Sequence, residues 1–351
     1  MVKVFLTGAS GYVGGQVLHQ IAASNSQLDI TVLLQDKQKS TVVAGAFPSV
    51  RVVLGSLDNA ELVQNEVSQA DVVLNLAAAG HLKGVEAIHK GLLKRSSVKP
   101  AYWIQISGAS ALAAAELASP SFTPGSPSDA IFDDVSDITK LRDLIRAHPG
   151  RAVDNYMLNV AAGADNSKIK TAVVYPPIIY GLGQGPVNQR SIQIPELAKT
   201  TIQRGRGVQV GEGLARWGNV HVRDIGRLFG LLTQKAIGED GGDEVWGENG
   251  LYLTGVGELT FGEISSKIAA EAANQKLISS DTPIEKLVRP DADTVLPHGS
   301  VLFGTNARSK ARRGTELLSW KPEEGSLEED VPRTVAREAE SLAEAKKTKG
   351  S

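Results

Sequence analysis

The chain has 351 residues, 42% of them hydrophobic, with a formal net charge of −2 and a pI near 6.3. That is enough apolar material for one large domain or two interleaved lobes. The basic clusters Arg204–Arg206, Lys310–Arg313 and Lys346–Lys349 are local, so no nucleic-acid partner is expected. The absence of cysteine excludes disulfides, thiolate metal sites and cysteine nucleophiles, and no His/Asp/Glu spacing points to a metal. No stretch approaches a membrane span and no apolar signal core precedes the first strand, which predicts a soluble cytoplasmic protein.

Val2 to Leu6 is a short β-branched and apolar run, as expected of a strand buried on both faces. Gly8, Gly11 and Gly14 follow at once, and Val13, Val17, Leu18 and Ile21 then recur at helical spacing. Glycines between a strand and a helix are the context of a dinucleotide-binding loop. Gly8 allows a tight turn, Gly11 lets backbone amides approach a pyrophosphate, and Gly14 lets the helix pack closely. The helix N-terminus adds partial positive charge. The spacing is G-x-x-G-x-x-G, with Ala9, Ser10, Tyr12 and Val13 inside the same loop.

A second strand is predicted over Asp29 to Leu34. Gln35-Asp36-Lys37 ends it about 20 residues beyond the last glycine, where an adenosine ribose is read. Further strands are predicted over Val50 to Leu54, Asp71 to Leu76, Ala101 to Ile106 and Thr171 to Tyr175. Helices are predicted up to Val67, over Val85 to Lys94, Asp137 to Ala147 and Val153 to Ala164. This alternation predicts an α/β chain with a doubly wound parallel sheet and right-handed crossovers.

After the sheet, Gly181-Leu-Gly-Gln-Gly185 imitates a phosphate loop, but it precedes Pro186 and polar residues and is read as a flexible loop. Helices follow over Ile192 to Arg204 and Asp224 to Lys235, with short strands at Val208–Val210, Asn219–Val222 and Leu251–Thr254. Thr260-Phe-Gly-Glu263 and Ser326-Leu-Glu-Glu329 are capping boxes opening two more helices. The expected organisation is a nucleotide-binding Rossmann-type domain over 1–180 and a smaller, interleaved substrate lobe over 181–345, part of which returns to the sheet. A flexible tail is expected over 346–351.

Together these pieces resemble the extended short-chain dehydrogenase/reductase family, the NAD-dependent epimerase/dehydratase group, over nearly the whole chain. The resemblance rests on Thr7-Gly8-x-x-Gly11-x-x-Gly14, Asn75-Leu-Ala77-Ala78, Ser107, Tyr175-Pro-Pro-Ile-Ile-Tyr-Gly181, Asn219-Val-His-Val-Arg-Asp224 and Leu317-Leu-Ser-Trp-Lys-Pro322. It implies that the first loop holds the pyrophosphate and that Leu57 and Asp58 lie near adenine. It also implies that Ala77 and Ala78 run along the cofactor, with Pro176, Pro177 and Ile178 against the nicotinamide. Hydride chemistry in that family uses Tyr-x-x-x-Lys. The residues four beyond the six tyrosines here are Gln16, Ile106, Val160, Ile179, Gln184 and Val256, and none is lysine. The motif would fall near His148 to Tyr156.

Four residues are therefore candidates for the chemistry. Ser107 orients a carbonyl or caps a turn. Tyr156 is the tyrosine nearest the missing motif, or core. Arg151 replaces the lysine as a cation, or lies on the surface. His81 reaches the nicotinamide end, or is a loop histidine. For the cofactor, Asp36 suits ribose hydroxyls, whereas Lys37 or Lys39 suits a 2′-phosphate. Gln35 stands where relatives choosing NADP carry arginine, and NADP is favoured over NAD. The resulting expectation is an NAD(P)-dependent oxidoreductase acting on a small carbonyl or alcohol, with a homodimer as its assembly to test. The alternatives are a non-redox isomerase using bound cofactor and an NAD(P)-sensing regulatory protein.

Overall fold

The structure, a computed structural model, describes residues 1–24, 28–77 and 79–349. The first half alternates strand and helix: β1 (Val2–Thr7), α1 (Tyr12–Ser24), β2 (Leu28–Leu34), α2 (Lys37–Ala46), β3 (Arg51–Leu54), α3 (Ala60–Val67), β4 (Val72–Asn75), α4 (Leu82–Leu93) and β5 (Ala101–Ile106). Then come α5 (Ala114–Ala118), β6 (Ile131–Asp133), α6 (Ile138–Arg146), α7 (Ala152–Ala162), β7 (Ile169–Tyr175) and β8 (Ile178–Tyr180). The second half begins with α8 (Gln193–Arg204), β9 (Val208–Val210), β10 (Arg216–His221), α9 (Val222–Ile237), α10 (Gly242–Val245), β11 (Leu251–Leu253) and β12 (Gly257–Thr260). It ends with α11 (Phe261–Asn274), β13 (Glu285–Leu287), α12 (Asp291–Val295), α13 (Gly299–Leu302), β14 (Arg308–Lys310), α14 (Arg313–Leu318) and α15 (Leu327–Lys349).

The main sheet runs β3-β2-β1-β4-β5-β7-β11, and every neighbouring pair is parallel. It is doubly wound: Val4 and Leu6 pack on one face with Val17, Leu18 and Ile21 of α1 and with Leu228 and Phe229 of α9. Phe5, between them, packs on the other face with residues of α3, α4 and α7. Burial on both faces is why the strands read as continuous apolar runs rather than alternating ones. Chain order reverses between β1 and β4, which opens a crevice at the strands' carboxyl ends.

Two elements of the second half return to this sheet. Strand β11 pairs with β7 as the seventh strand, and α9 lies beside α1. The remainder forms a three-stranded sheet β12-β10-β8 and a β13-β9 pair, while β14 pairs with β6 of the first half. Helix α15 packs against α8 and α11. Both expected capping boxes are present. Glu263 N donates to Thr260 Oγ1 at 3.1 Å and Thr260 N to Glu263 Oε2 at 2.7 Å. Glu329 N donates to Ser326 Oγ at 3.3 Å and Ser326 N to Glu329 Oε2 at 3.1 Å.

Two differences from the sequence expectation concern helices. Residues 346–349, expected as a tail, continue α15 as its last turn, where Lys346 and Lys347 complement the helix's negative end; 350–351 lie outside the described residues. Helix α2 has no apolar stripe to announce it, since only Ser40 and Val43 are buried.

Candidate active site

The first part of the site is a cleft of about 250 Å³ at the ends of β1, β2 and β3, with Gly8, Ser10, Gln35, Asp36, Lys39 and Ala77 in its wall. Gly8 turns the chain at φ +83°, and a Cβ there would stand 2.7 Å from the Leu76 carbonyl carbon. A Cβ on Gly14 would overlap the Gly8 carbonyl. Gly11 N donates to Gly8 O at 2.8 Å, closing the turn just before α1. The first amides of α1 have no partner within the helix. An open cleft, a turn with glycine at both ends and the N–H groups of a helix start fit the adenosine and pyrophosphate of a dinucleotide.

Around this cleft, Ala9 is buried and Val13 packs partly buried against the core. Gln35 Nε2 donates to Ser56 Oγ at 3.2 Å. Asp36 Oδ1 accepts from Lys39 N at 2.9 Å and so caps α2. Lys39 stands in the cleft wall, whereas Lys37 is an exposed first-turn residue of α2 outside it. Leu57 is buried beneath the cleft and Asp58 is exposed at its rim. A buried relay supports the floor. Thr7 Oγ1 donates to Asn75 Oδ1 at 2.5 Å, Asn75 Nδ2 to Gln105 Oε1 at 2.8 Å, and Ala77 N to Thr7 Oγ1 at 3.3 Å. Ala78 lies outside the described residues.

His81 also belongs here, which corrects its expected place at the nicotinamide end. Its Nδ1 accepts from Gly84 N at 2.9 Å, so Nε2 carries the hydrogen and donates to Asp58 Oδ1 at 3.0 Å. The ring is held as the N-cap of α4 in the wall of this cleft.

The second part lies beyond β4, at the ends of β5 and β7. Ser107 follows β5, and Arg151 immediately precedes α7. The Arg151 guanidinium joins three residues: Nε donates to Asp154 Oδ2 at 2.7 Å, Nη2 to Ser107 Oγ at 3.0 Å and Nη1 to Ser110 Oγ at 3.2 Å. Because each serine oxygen accepts from the cation, each O–H is left to donate elsewhere. Asp154 is almost wholly buried, and Tyr175 lies beside it. Burial, reinforced by the Asp154 carboxylate, holds the Tyr175 phenol far above its usual range. Ser110, His148 and Arg151 share the wall of a cavity of about 360 Å³ with Ala114, Leu117 and Val301. Pro176 O accepts from Ala109 N at 2.9 Å, and the adjoining Pro177 and Ile178 lead into β8. Among the described residues no group of three or more histidine and acidic side chains is placed to hold a metal, and no helix is long and apolar enough to cross a membrane.

This chain is 33% identical over 347 residues to a protein named oxidase ucsJ from Acremonium sp, across 97% of this chain and 98% of the relative. Residues 4–94 match the NAD dependent epimerase/dehydratase family. The chain belongs to that family of extended short-chain dehydrogenase/reductases. Its fold is that of dTDP-glucose 4,6-dehydratases. One is DesIV from Streptomyces venezuelae, solved with NAD and TYD bound (17% identity, TM-score 0.65, 95% of this chain and 96% of that one). Another is from Bacillus anthracis str. Ames, in complex with NAD (15% identity, TM-score 0.62, 96% of both).

Three placements distinguish this epimerase/dehydratase-family chain from the expectation. Tyr156 is not with Ser107 and Arg151; its hydroxyl lies 2.9 Å from His89 Nδ1 and its ring meets that imidazole edge-on, so it belongs to the α4–α7 interface. Tyr12 uses its phenol structurally, donating to the carbonyls of Tyr180 at 2.9 Å and Gly181 at 2.5 Å. The loop after Gly181 is thereby tied to α1, and Gln184 N adds a bond to Gln16 Oε1 at 2.9 Å. The sequence reading left Ser110, His148, Asp154 and Tyr175 out of the site. The i,i+3 pair Arg151–Asp154 at a helix start was the one local signal for part of that group.

Proposed function

We propose that this epimerase/dehydratase-family protein is an NAD(P)-dependent oxidoreductase interconverting a small carbonyl compound and its alcohol in the cytoplasm. The observation that carries this reading is the Arg151 guanidinium donating to both Ser107 and Ser110. Both serine hydroxyls are held by one cation, and Ser110 stands in the cavity wall, where its hydroxyl can donate to a carbonyl oxygen. Charge developing on that oxygen is stabilised without reorganisation. Asp154 holds the guanidinium in plane by its i,i+3 ion pair. When bound, the nicotinamide supplies or takes the hydride. Residues of the glycine loop, with Ser10 and Ala77, hold the pyrophosphate end of the cofactor, and Leu57 and Asp58 border its adenine.

NADP is favoured because Lys39 stands in the adenosine wall beside the α2 N-terminus, while Asp36 spends one carboxylate oxygen on capping that helix. The Acremonium relative's name, an oxidase, supports redox chemistry. A cavity with convergent polar groups favours an enzyme over a sensor.

The test is calorimetric titration with NADPH and NADH, then a panel of aliphatic and aromatic ketones assayed for hydride transfer. NADPH should bind more tightly, with a gap that shrinks as salt rises and largely disappears in Lys39→Ala. Binding of neither nucleotide, or binding without turnover of any ketone, overturns the reading.

A further inference from the structure

The segment where the family's tyrosine would fall opens with His148, and the fold places this residue in the cavity wall with Ser110 and Arg151. The turn from His148 to Arg151 is fixed by Arg151 N donating to His148 O at 3.0 Å and by Asn155 Nδ2 donating to the same oxygen at 3.2 Å. The imidazole Nδ1 lies 2.7 Å from the Leu144 carbonyl. A carbonyl only accepts, so Nδ1 carries the hydrogen and Nε2 of the neutral ring is an unprotonated base. No side chain or backbone group among the described residues takes Nε2. A base oriented by a second hydrogen bond, in a wall shared with a hydroxyl that a cation holds, suits proton transfer to a carbonyl oxygen.

We infer that His148 is the acid and base of the carbonyl–alcohol interconversion, and that its cavity takes a carbonyl compound with an apolar body. The inference rests on the oxidoreductase reading above. In reduction, the alcohol O–H bond forms as the Nε2–H bond of the imidazolium breaks. A bound reduced nicotinamide would supply the hydride that the carbonyl carbon takes up. In the reverse direction neutral Nε2 takes the hydroxyl proton. The apolar body packs on Ala114, Leu117, Ala118, Pro149 and Val301, the last contributed by α13 of the second half.

The charged groups on the surrounding segments are accounted for. Arg151 is the cation in the wall and is paired with Asp154. On α6, Arg146 pairs with Glu248, and Asp143 is exposed. On α5, Glu116 accepts from Asn306 N and Nδ2. His298 precedes α13 and neighbours Asp293.

The experiment compares wild type, His148→Asn and His148→Ala on the ketone turned over fastest, alongside ¹⁵N NMR of the ligand-free protein. Asparagine Nδ2 can still donate to Leu144 O but cannot titrate, and NADPH affinity measures whether each variant has kept its fold. His148→Asn should lower kcat about 100-fold or more and keep KM and NADPH affinity within about threefold. Imidazole should restore part of the His148→Ala rate. In ligand-free wild type, Nδ1 of His148 should be the protonated nitrogen. An active wild type with His148→Asn within about threefold in kcat, or the opposite tautomer, overturns the role of His148 and leaves the oxidoreductase reading standing. A wild type that reduces no ketone overturns both.

Discussion

Arg151 is a quarter exposed, yet its partners Asp154, Ser107 and Ser110 make it part of the protein's interior. A lysine would not hold the three in this geometry, because its donors radiate from one atom whereas those of the guanidinium are spread over a planar fork. The Tyr156 hydroxyl has no such role. Tyr156→Phe should remove its bond to His89, costing about 1 kcal/mol of stability, while turnover changes less than about tenfold, well below what loss of a general acid costs. Denaturant melts and steady-state rates would show this, and loss of all turnover in the folded variant would return Tyr156 to the chemistry. The glycine loop was legible because each glycine answers a local backbone demand. The Arg151 cluster was not, because its members come from three separated segments.

Helix α9 begins at His221, whose Nδ1 accepts from Arg223 N at 3.2 Å, and whose ring meets Tyr180 edge-on at 5.3 Å between centroids. Burial pushes this imidazole below its usual range, against the opposing pull of Glu324, Asp224 and Asp330. The folded state therefore favours the neutral ring. Its contribution is present above the unfolded pKa of about 6.5 and is lost as pH falls through the lower folded value. His89, also lowered by burial, acts with the same sign. Urea midpoints should accordingly fall as the pH is taken from 7 towards 5. His221→Asn, which keeps a capping oxygen without titrating there, should flatten that slope while losing some packing on Tyr180. An unchanged slope would mean that His221 is not the titrating cap. Capping also explains what the sequence revealed about elements. The two boxes at Thr260 and Ser326 are local and were read directly, whereas α2, capped by Asp36 but nearly stripe-free, was not.

The two halves are joined at Asp134, a buried carboxylate just after β6. It accepts from Leu253 N at 3.0 Å, Arg312 N at 2.8 Å and Arg313 N at 2.9 Å, so one side chain links β11 and the start of α14 to the first half. Asp134→Ala leaves two buried donors, Leu253 N and Arg313 N, and the half-buried Arg312 N without this partner, at about 1–3 kcal/mol for each buried one. A loss of about 3 kcal/mol or more in urea unfolding is expected, and saturating NADPH at about 100 times its Kd should return about 2.7 kcal/mol of it. A loss below about 1 kcal/mol would show that the junction is held elsewhere.

The sequence alone determined the parallel sheet, the glycine loop at its first turn and the strand ends that border the cleft. Those features follow from period, burial and backbone geometry over short stretches. Tertiary structure decided the rest. It seated β11 and α9 on the main sheet, because a strand's neighbour is chosen by packing rather than by its own residues. It placed His81 in the wall of the cleft, because a helix cap takes one of its nitrogens and the Asp58 carboxylate the other. It also gathered Ser107, Ser110, His148 and Arg151, which are up to 44 residues apart among the bonded pairs, at one end of β5 and β7. Spacing along the chain cannot encode a convergence that exists only once the crossovers have closed.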